Sequence, residues 1–282
     1  MYNKPLSHVF SLSVAILVMI LLLSDNLSAQ SRLYNAVASD NLSQATRFLK
    51  RGDNPNGDGN PQYIPLIGAA ELNIFRMVQL LITNRADINI QNHIGFTPLM
   101  EAALQQNHRI MSYLLTNGAD MELRANNGAT ALMVAVSEGN TRAVRTLLEK
   151  GANPNIHDAK GITPLMRAVE IGDNIDLIRV LVEFKADMNA RNPEGNPVFM
   201  VNPYRNRVAA HRELLILGAN PNIQNNEGQT PLIKAVLEGN IEMVRLLIEN
   251  GANRLIKDHS GASAVDYAIT QFEINQYFNS RR

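Results

Sequence analysis

The sequence predicts an all-α repeat solenoid: a stack of helix pairs joined by short β-hairpin fingers. Three observations predict it. Glycines 95, 128, 161, 195, 228 and 261 recur at intervals of 33, 33, 34, 33 and 33 residues. Most of them open a similar phrase, such as Gly95-Phe-Thr-Pro-Leu-Met-Glu-Ala-Ala and Gly228-Gln-Thr-Pro-Leu-Ile-Lys-Ala-Val. Each phrase is followed by an apolar stripe at helical spacing. A fixed period of this length is the mark of a stacked array, because one such unit cannot bury its own apolar face.

The elements follow in order. Residues 1–29 read as a secretory signal: Lys4 and His8 precede a largely apolar run from Val9 to Leu23, and small residues stand at Ser28-Ala29. The run is short for a membrane span, which takes about 20 apolar residues. An uncleaved anchor is the rival reading. The repeat domain occupies 31–282. Its N-terminal cap, 31–57, begins directly at a helix and has no finger. Six internal repeats follow at 58–91, 92–124, 125–157, 158–191, 192–224 and 225–257. The C-terminal cap, 258–282, has a shortened polar second segment.

Within a repeat, Thr97 is placed to cap a helix whose first turn tolerates Pro98. Leu99, Ala102 and Ala103 then share one helical face. Gly139, Gly172 and Gly239 end first helices, where a left-handed residue is favoured. The second helix is clearest at Met243-Val244 and Leu246-Leu247-Ile248, with Glu242, Arg245 and Glu249 on the solvent side. The repeat at 192–224 is irregular. Pro197 replaces the capping threonine, Phe199 the leucine, and Asn202-Pro203 the alanine pair. A proline inside a helix removes a donor and costs about 3 kcal/mol, so the first helix here is expected to be short or kinked. The preceding repeat carries one extra residue around Asp173–Ile175.

These residues carry a resemblance. The turns Thr97-Pro98-Leu99, Thr163-Pro164-Leu165 and Thr230-Pro231-Leu232, with the closes Gly118-Ala119-Asp120, Gly151-Ala152-Asn153, Gly218-Ala219-Asn220 and Gly251-Ala252-Asn253, resemble the ankyrin repeat over about 31–282. With the N-terminal signal, the chain resembles exported bacterial ankyrin repeat proteins. One departure is regular. The histidine that usually follows Thr-Pro-Leu is Met100, Met133, Met166 and Met200 here, and Ile233 in the next repeat. Apolar packing is expected to replace the hydrogen bonds of that histidine.

The resemblance implies a scaffold that binds a partner protein through finger tips and the concave helix face. Carried over by position, the partner-binding candidates are Phe96, Leu104, Arg167, Ile171, Tyr204, Arg205, Lys234 and Glu238, on a face that also includes Glu101 and Gln105. Composition agrees with this class. Lys+Arg and Asp+Glu are both 26, so the chain is neutral, and charge gives no pull toward nucleic acid or anionic membrane. There is no cysteine, which removes thiol nucleophiles and thiolate metal sites and suits an oxidising compartment.

No catalytic residue, cofactor site or metal site is expected. His93, His157 and His259 fall at finger tips in three repeats, but Asn126, Ala159 and Asn226 interrupt the column, so they read as turn residues. His108 and His211 read as helix-edge residues. Asn54-Pro-Asn56-Gly-Asp58-Gly59 mimics half a calcium loop, yet the position for its bidentate glutamate holds Pro65. The expectation is an exported monomer of the periplasm or extracellular space, touching membrane only if its N-terminal segment is retained. A host-directed secreted effector is the alternative, with a metal-binding or catalytic protein a distant third.

Overall fold

The computed structural model describes residues 32–172, 174–201 and 208–280. The apolar run at 9–23 lies outside the described residues. The chain divides into two compact units, Met1–Ala119 and Asp120–Arg282.

The first unit holds six described helices: α1 (Arg32–Ala38), α2 (Leu42–Lys50), α3 (Pro65–Glu71), α4 (Phe75–Thr83), α5 (Pro98–Leu104) and α6 (His108–Thr116). They pack as antiparallel pairs. The first helices α1, α3 and α5 form one row, and the second helices α2, α4 and α6 form another. The second unit holds α7 (Ala131–Ser137), α8 (Thr141–Glu149), α9 (Pro164–Ile171), α10 (Ile175–Glu183), α11 (Val208–Ile216), α12 (Pro231–Leu237), α13 (Ile241–Glu249), α14 (Ala264–Ala268) and α15 (Phe272–Asn279). Its rows pair α7 with α9, α8 with α10, α12 with α14 and α13 with α15. The described architecture is thus an all-α repeat solenoid.

Local chemistry sets these helices. The hydroxyls of Thr97, Thr163 and Thr230 accept the N–H of Met100, Met166 and Ile233 at 3.2–3.3 Å, and the proline that follows each needs no donor there. Thr130 is followed by Ala131 instead, and its buried hydroxyl has no partner. The second helices start on asparagine. Asn41, Asn107, Asn140, Asn174 and Asn240 each accept an N–H three residues on. Such a cap stabilises a helix by about 1 kcal/mol.

The apolar column expected at Met100, Met133, Met166, Met200 and Ile233 is buried throughout, at most 3 % exposed. The hydrogen bonding between repeats comes from other residues. Asn56 Oδ1 accepts the Asp87 N–H at 2.7 Å in the first unit. In the second, Asn155 and Asn222 accept from Asp187 and Asn253, and Glu122 accepts from Asn153, at 2.7–2.8 Å.

The irregular repeat lacks a regular first helix in its described part. A single 3₁₀ turn, Val198–Met200, stands there, with no side-chain cap on Pro197. Pro203 lies outside the described residues. The second helix, α11, also departs. His211 and Glu213 occupy places filled by Val244 and Leu246 in α13, and both are buried. This corrects the expectation that His211 is a helix-edge residue; its ring meets Phe199 edge-on, 5.2 Å between centroids. Glu213 is held by a two-pronged bond from Arg179, at 2.8 and 3.1 Å.

Candidate functional site

The fingers are tight turns, several of them organised by one polar residue. In the finger at 225–229, Asn225 Oδ1 accepts the N–H groups of Glu227 and Gln229, while Asn225 N–H donates to the Gln229 carbonyl at 2.9 Å. Asn92 and Asp258 do the same in their fingers. Among the described residues the strand pairing is confined to single antiparallel bridges, Arg191 with Pro197 and Lys257 with Ser263. The turn needs a residue with positive φ, and Gly228 supplies it at +75°. It serves a second purpose. The next finger lies directly over it, and a Cβ there would sit 2.9 Å from the His259 nitrogen.

Fingers are joined by main-chain bonds at that contact. His259 N–H donates to Glu227 O at 3.0 Å, Ala159 to Asn127 at 2.9 Å and, in the first unit, His93 to Pro61 at 3.3 Å. Side chains add a second ladder. Gln224 Nε2 reaches the carbonyls of Gly228 and Lys257, and Arg191 Nη1 those of Gly195 and Gln224. Pro193 occupies the place of Ala159 and His259, so that rung has no donor. His93, His157 and His259 are therefore built into finger stacking through their main chain; the His157 carbonyl accepts from Arg124. Among the described residues, no group of three His, Asp or Glu is placed to hold a metal ion.

These stacked fingers and the first-helix rows carry the candidates. Phe96 is half-buried on its finger, fixed by bonds to Asn92. Leu104 is half-buried at the end of α5. In the second unit, Arg167 and Ile171 lie one turn apart on α9, and Lys234 and Glu238 likewise on and just after α12, all half-buried. Arg167 is already engaged, with Glu170 at 2.5 Å and Asp158 at 3.5 Å. Tyr204 and Arg205 lie outside the described residues.

The first unit holds a cluster that position alone did not single out. Glu101 is not an open face residue: it is 7 % exposed, and its Oε1 accepts from Gln105 Nε2 at 3.1 Å. Burial, with a smaller contribution from the Glu71 charge, pushes its carboxyl up to about 7. Glu71, at the end of α3, is raised by burial as well. Tyr34 of α1 lies against Gly68, where a Cβ would meet the ring at 2.8 Å. It meets Tyr63 edge-on at 5.4 Å. Burial and then the neighbouring Glu71 raise the Tyr34 phenol to about 12. The available sequence signal was the pair Tyr34 and Gly68, a large ring facing the one helix position stripped of its side chain.

The comparisons with known proteins agree with this geometry. The family model for ankyrin repeats in three copies matches at 33–125, 66–158 and 99–192, and a second, for many copies, matches at 214–268. The internal stretch these leave unmatched, 193–213, falls in the irregular repeat. The chain is 44% identical over 63 residues to an ankyrin repeat-containing protein of Treponema pallidum (strain Nichols), covering 22% of this chain and 21% of that protein. It is 30% identical over 102 residues to the SH3 and multiple ankyrin repeat domains protein 2 of Homo sapiens, covering 36% and 5%. It thus spans about a fifth or less of the length of these relatives. Among solved structures, the ankyrin repeat domain of Bcl-3, a member of the IkappaB protein family, superposes with a TM-score of 0.69 at 28% identity, over 79% of this chain and 98% of that one. The human ASB11 ankyrin repeat domain gives 0.66 at 28%, over 77% and 97%. Proteins built this way are protein-interaction scaffolds, typically without catalysis. From its periodic turns, its buried first-helix columns and these matches together, the chain belongs to the ankyrin repeat family.

Proposed function

We propose that this protein is an exported scaffold that binds a partner protein through its finger tips and first-helix face, and that it carries no catalytic activity of its own. One observation carries the reading. Positions repeated from unit to unit are buried, whereas the half-buried positions beside them differ: Phe96 and Leu104 in the first unit, Arg167, Ile171, Lys234 and Glu238 in the second. A uniform frame displaying unlike apolar and charged groups suits recognition of one protein surface. The neutral charge balance favours protein over nucleic acid. Export rests on the apolar run at 9–23 after Lys4 and on the absence of cysteine.

Site-specific photo-crosslinking in the native host tests the binding face. Crosslinkers at Phe96, Leu104, Ile171 and Lys234 should trap the same partner, while crosslinkers at Glu149 and Glu249 on second helices should not. Equal trapping from both sets overturns the reading. Mass spectrometry of the protein from fractionated cells tests export, with a mature start near Gln30 expected. An intact Met1 on soluble cytoplasmic protein sinks it.

A further inference from the structure

We infer that the second-helix side of the first unit docks on an anionic lipid surface, through the exposed cations Arg47, Lys50, Arg51, Arg76, Arg85 and Arg109. The inference rests on the export proposed above and concerns the side of the unit that the partner face leaves open.

The neutral total of the chain hides an uneven distribution of charge. Three windows in one register, 42–52, 75–85 and 108–118, cover α2, α4 and α6 and the turns that close them. They contain those six cations and no aspartate or glutamate. The matching windows of the second unit, 141–151, 175–185, 208–218 and 241–251, each contain an acid: Glu149, Asp176 with Glu183, Glu213, and Glu242 with Glu249. Pairing follows the same division. In the second unit Arg145 and Arg179 bind Glu183 and Glu213. In the first, all six cations are exposed and none has an ion pair among the described residues. Asp53 and Asp87 follow two of the windows and are engaged, by Arg32 and by the Asn89 N–H. Arg109 lies over the Phe75 ring at 3.9 Å, and that ring meets Tyr113 edge-on. A guanidinium stacked in this way keeps its N–H groups for an outside acceptor.

The arrangement suits headgroups better than a protein. Protein interfaces are anchored by apolar or aromatic side chains that enter pockets. Among the described residues of the first unit, the exposed large apolar side chain is Ile94, which stands on a finger. The cations are spread over three repeats, with packed helices about 10 Å apart. Mobile anionic headgroups can gather under such a spread, and about four to eight clustered Lys or Arg residues make a lipid-binding basic patch. Place matters as well. The face belongs to the unit that follows the apolar run at 9–23, after only the eight residues 24–31. Those residues reach at most about 28 Å when extended. Export brings the run into a bilayer, so this unit emerges beside lipid. Docked by its second helices, the unit turns its first-helix row, with Leu104, toward solution.

The test measures partition of the full-length protein onto vesicles of phosphatidylcholine alone and of equal parts phosphatidylcholine and phosphatidylglycerol. The apolar run and Lys4 are present in every sample, so a variant's change in the ratio between the two vesicles reads the basic face. The anionic vesicles should be preferred, and less so as salt rises. Arg76→Gln, Arg85→Gln and Arg109→Gln together should cut the preference at least tenfold, since each cation near an anionic surface contributes about fivefold. Arg142→Gln, Lys150→Gln and Arg212→Gln together should leave it within about twofold. The chain has no cysteine, so single labels at Thr83→Cys and Ile94→Cys report the docked side. Nitroxide headgroups should quench the label at 83 and spare the one at 94. Equal partition onto both vesicles, a preference that survives the first triple variant, or equal quenching of the two labels overturns the inference. So does poly-glutamate binding that this variant loses while the vesicles show no preference, because the face is then a protein site. If the vesicle preference holds while soluble cytoplasmic protein keeps Met1, the docking face stands and export falls. If a mature start near Gln30 is found and the vesicle ratio is flat, export stands and the docking face falls.

Discussion

The repeats at 192–224 and 225–257 share one 33-residue frame and fill it differently. In the second, Thr230 caps a regular seven-residue helix from Pro231 to Leu237. In the first, Pro197 offers no cap, and one 3₁₀ turn replaces the start of that helix. The second helices differ too, with His211 and Glu213 where α13 has Val244 and Leu246. Yet Phe199 and Met200 are buried, as are their counterparts Leu232 and Ile233. The comparison teaches that stacking depends on apolar groups reaching fixed places between neighbours. A helix is the usual way to deliver them, and a shorter turn also suffices.

The largest expected effect comes from deleting one leucine in each repeat. Leu247→Ala and Leu214→Ala remove the same atoms from sites that are both fully buried. Each should cost about 2–5 kcal/mol by chemical denaturation, with the smaller loss at 214, because surroundings that include a 3₁₀ turn at Val198–Met200 collapse more readily. Equal losses would break the contrast. Next come the finger glycines. Gly195 and Gly228 both hold φ near +75°, a strain of about 1–3 kcal/mol for alanine. At 228 the new Cβ also meets the His259 main chain, whereas at 195 the nearest atoms are those of the Asn226 side chain, which can swing aside. Gly228→Ala should therefore lower the melting temperature more than Gly195→Ala.

A smaller effect separates the polar and apolar second helices. Arg179→Ala should lower the melting temperature, because Glu213 stays buried without its guanidinium. Glu213→Val in that Arg179→Ala background should restore it, since valine stands at the corresponding place of α10, Val180. If the double variant is no better than the single, the pair does more than compensate for a buried charge. The smallest effect concerns capping. Thr230→Val removes the bond to Ile233 and should cost about 1 kcal/mol, while Thr130→Val, whose hydroxyl has no partner, should be neutral or slightly stabilising.

Periodicity made the frame legible because it repeats a physical requirement. The turn glycines, the Thr-Pro start and the buried methionine column all follow from positions that must recur for units to stack. Features unique to one repeat left no such trace. The asparagine caps and the bridging Asn56, Asn155 and Asn222 look like ordinary loop composition until the neighbouring carbonyls and N–H groups are in place. Glu101 was placed on the right face yet with the wrong exposure, because spacing gives the face a residue occupies and leaves open how deeply the neighbouring helices cover it. The engagement of Arg167 by Asp158 and Glu170 was hidden for a related reason: spacing along the chain gives the position of a charge and leaves open which acid turns toward it.

The finger-to-finger bonds bear on how such a gene can change length. His93 to Pro61, Ala159 to Asn127 and His259 to Glu227 all span the same number of residues, so each finger counts from the one before it. A single-codon insertion between two fingers must be taken up elsewhere, and here the added residue of 158–191 falls by Gly172, where α9 runs to eight residues instead of seven. Recombination that copies or removes a whole period leaves every count intact. Lineages of this protein should thus gain and lose entire repeats freely, while small insertions survive only in the turns between paired helices.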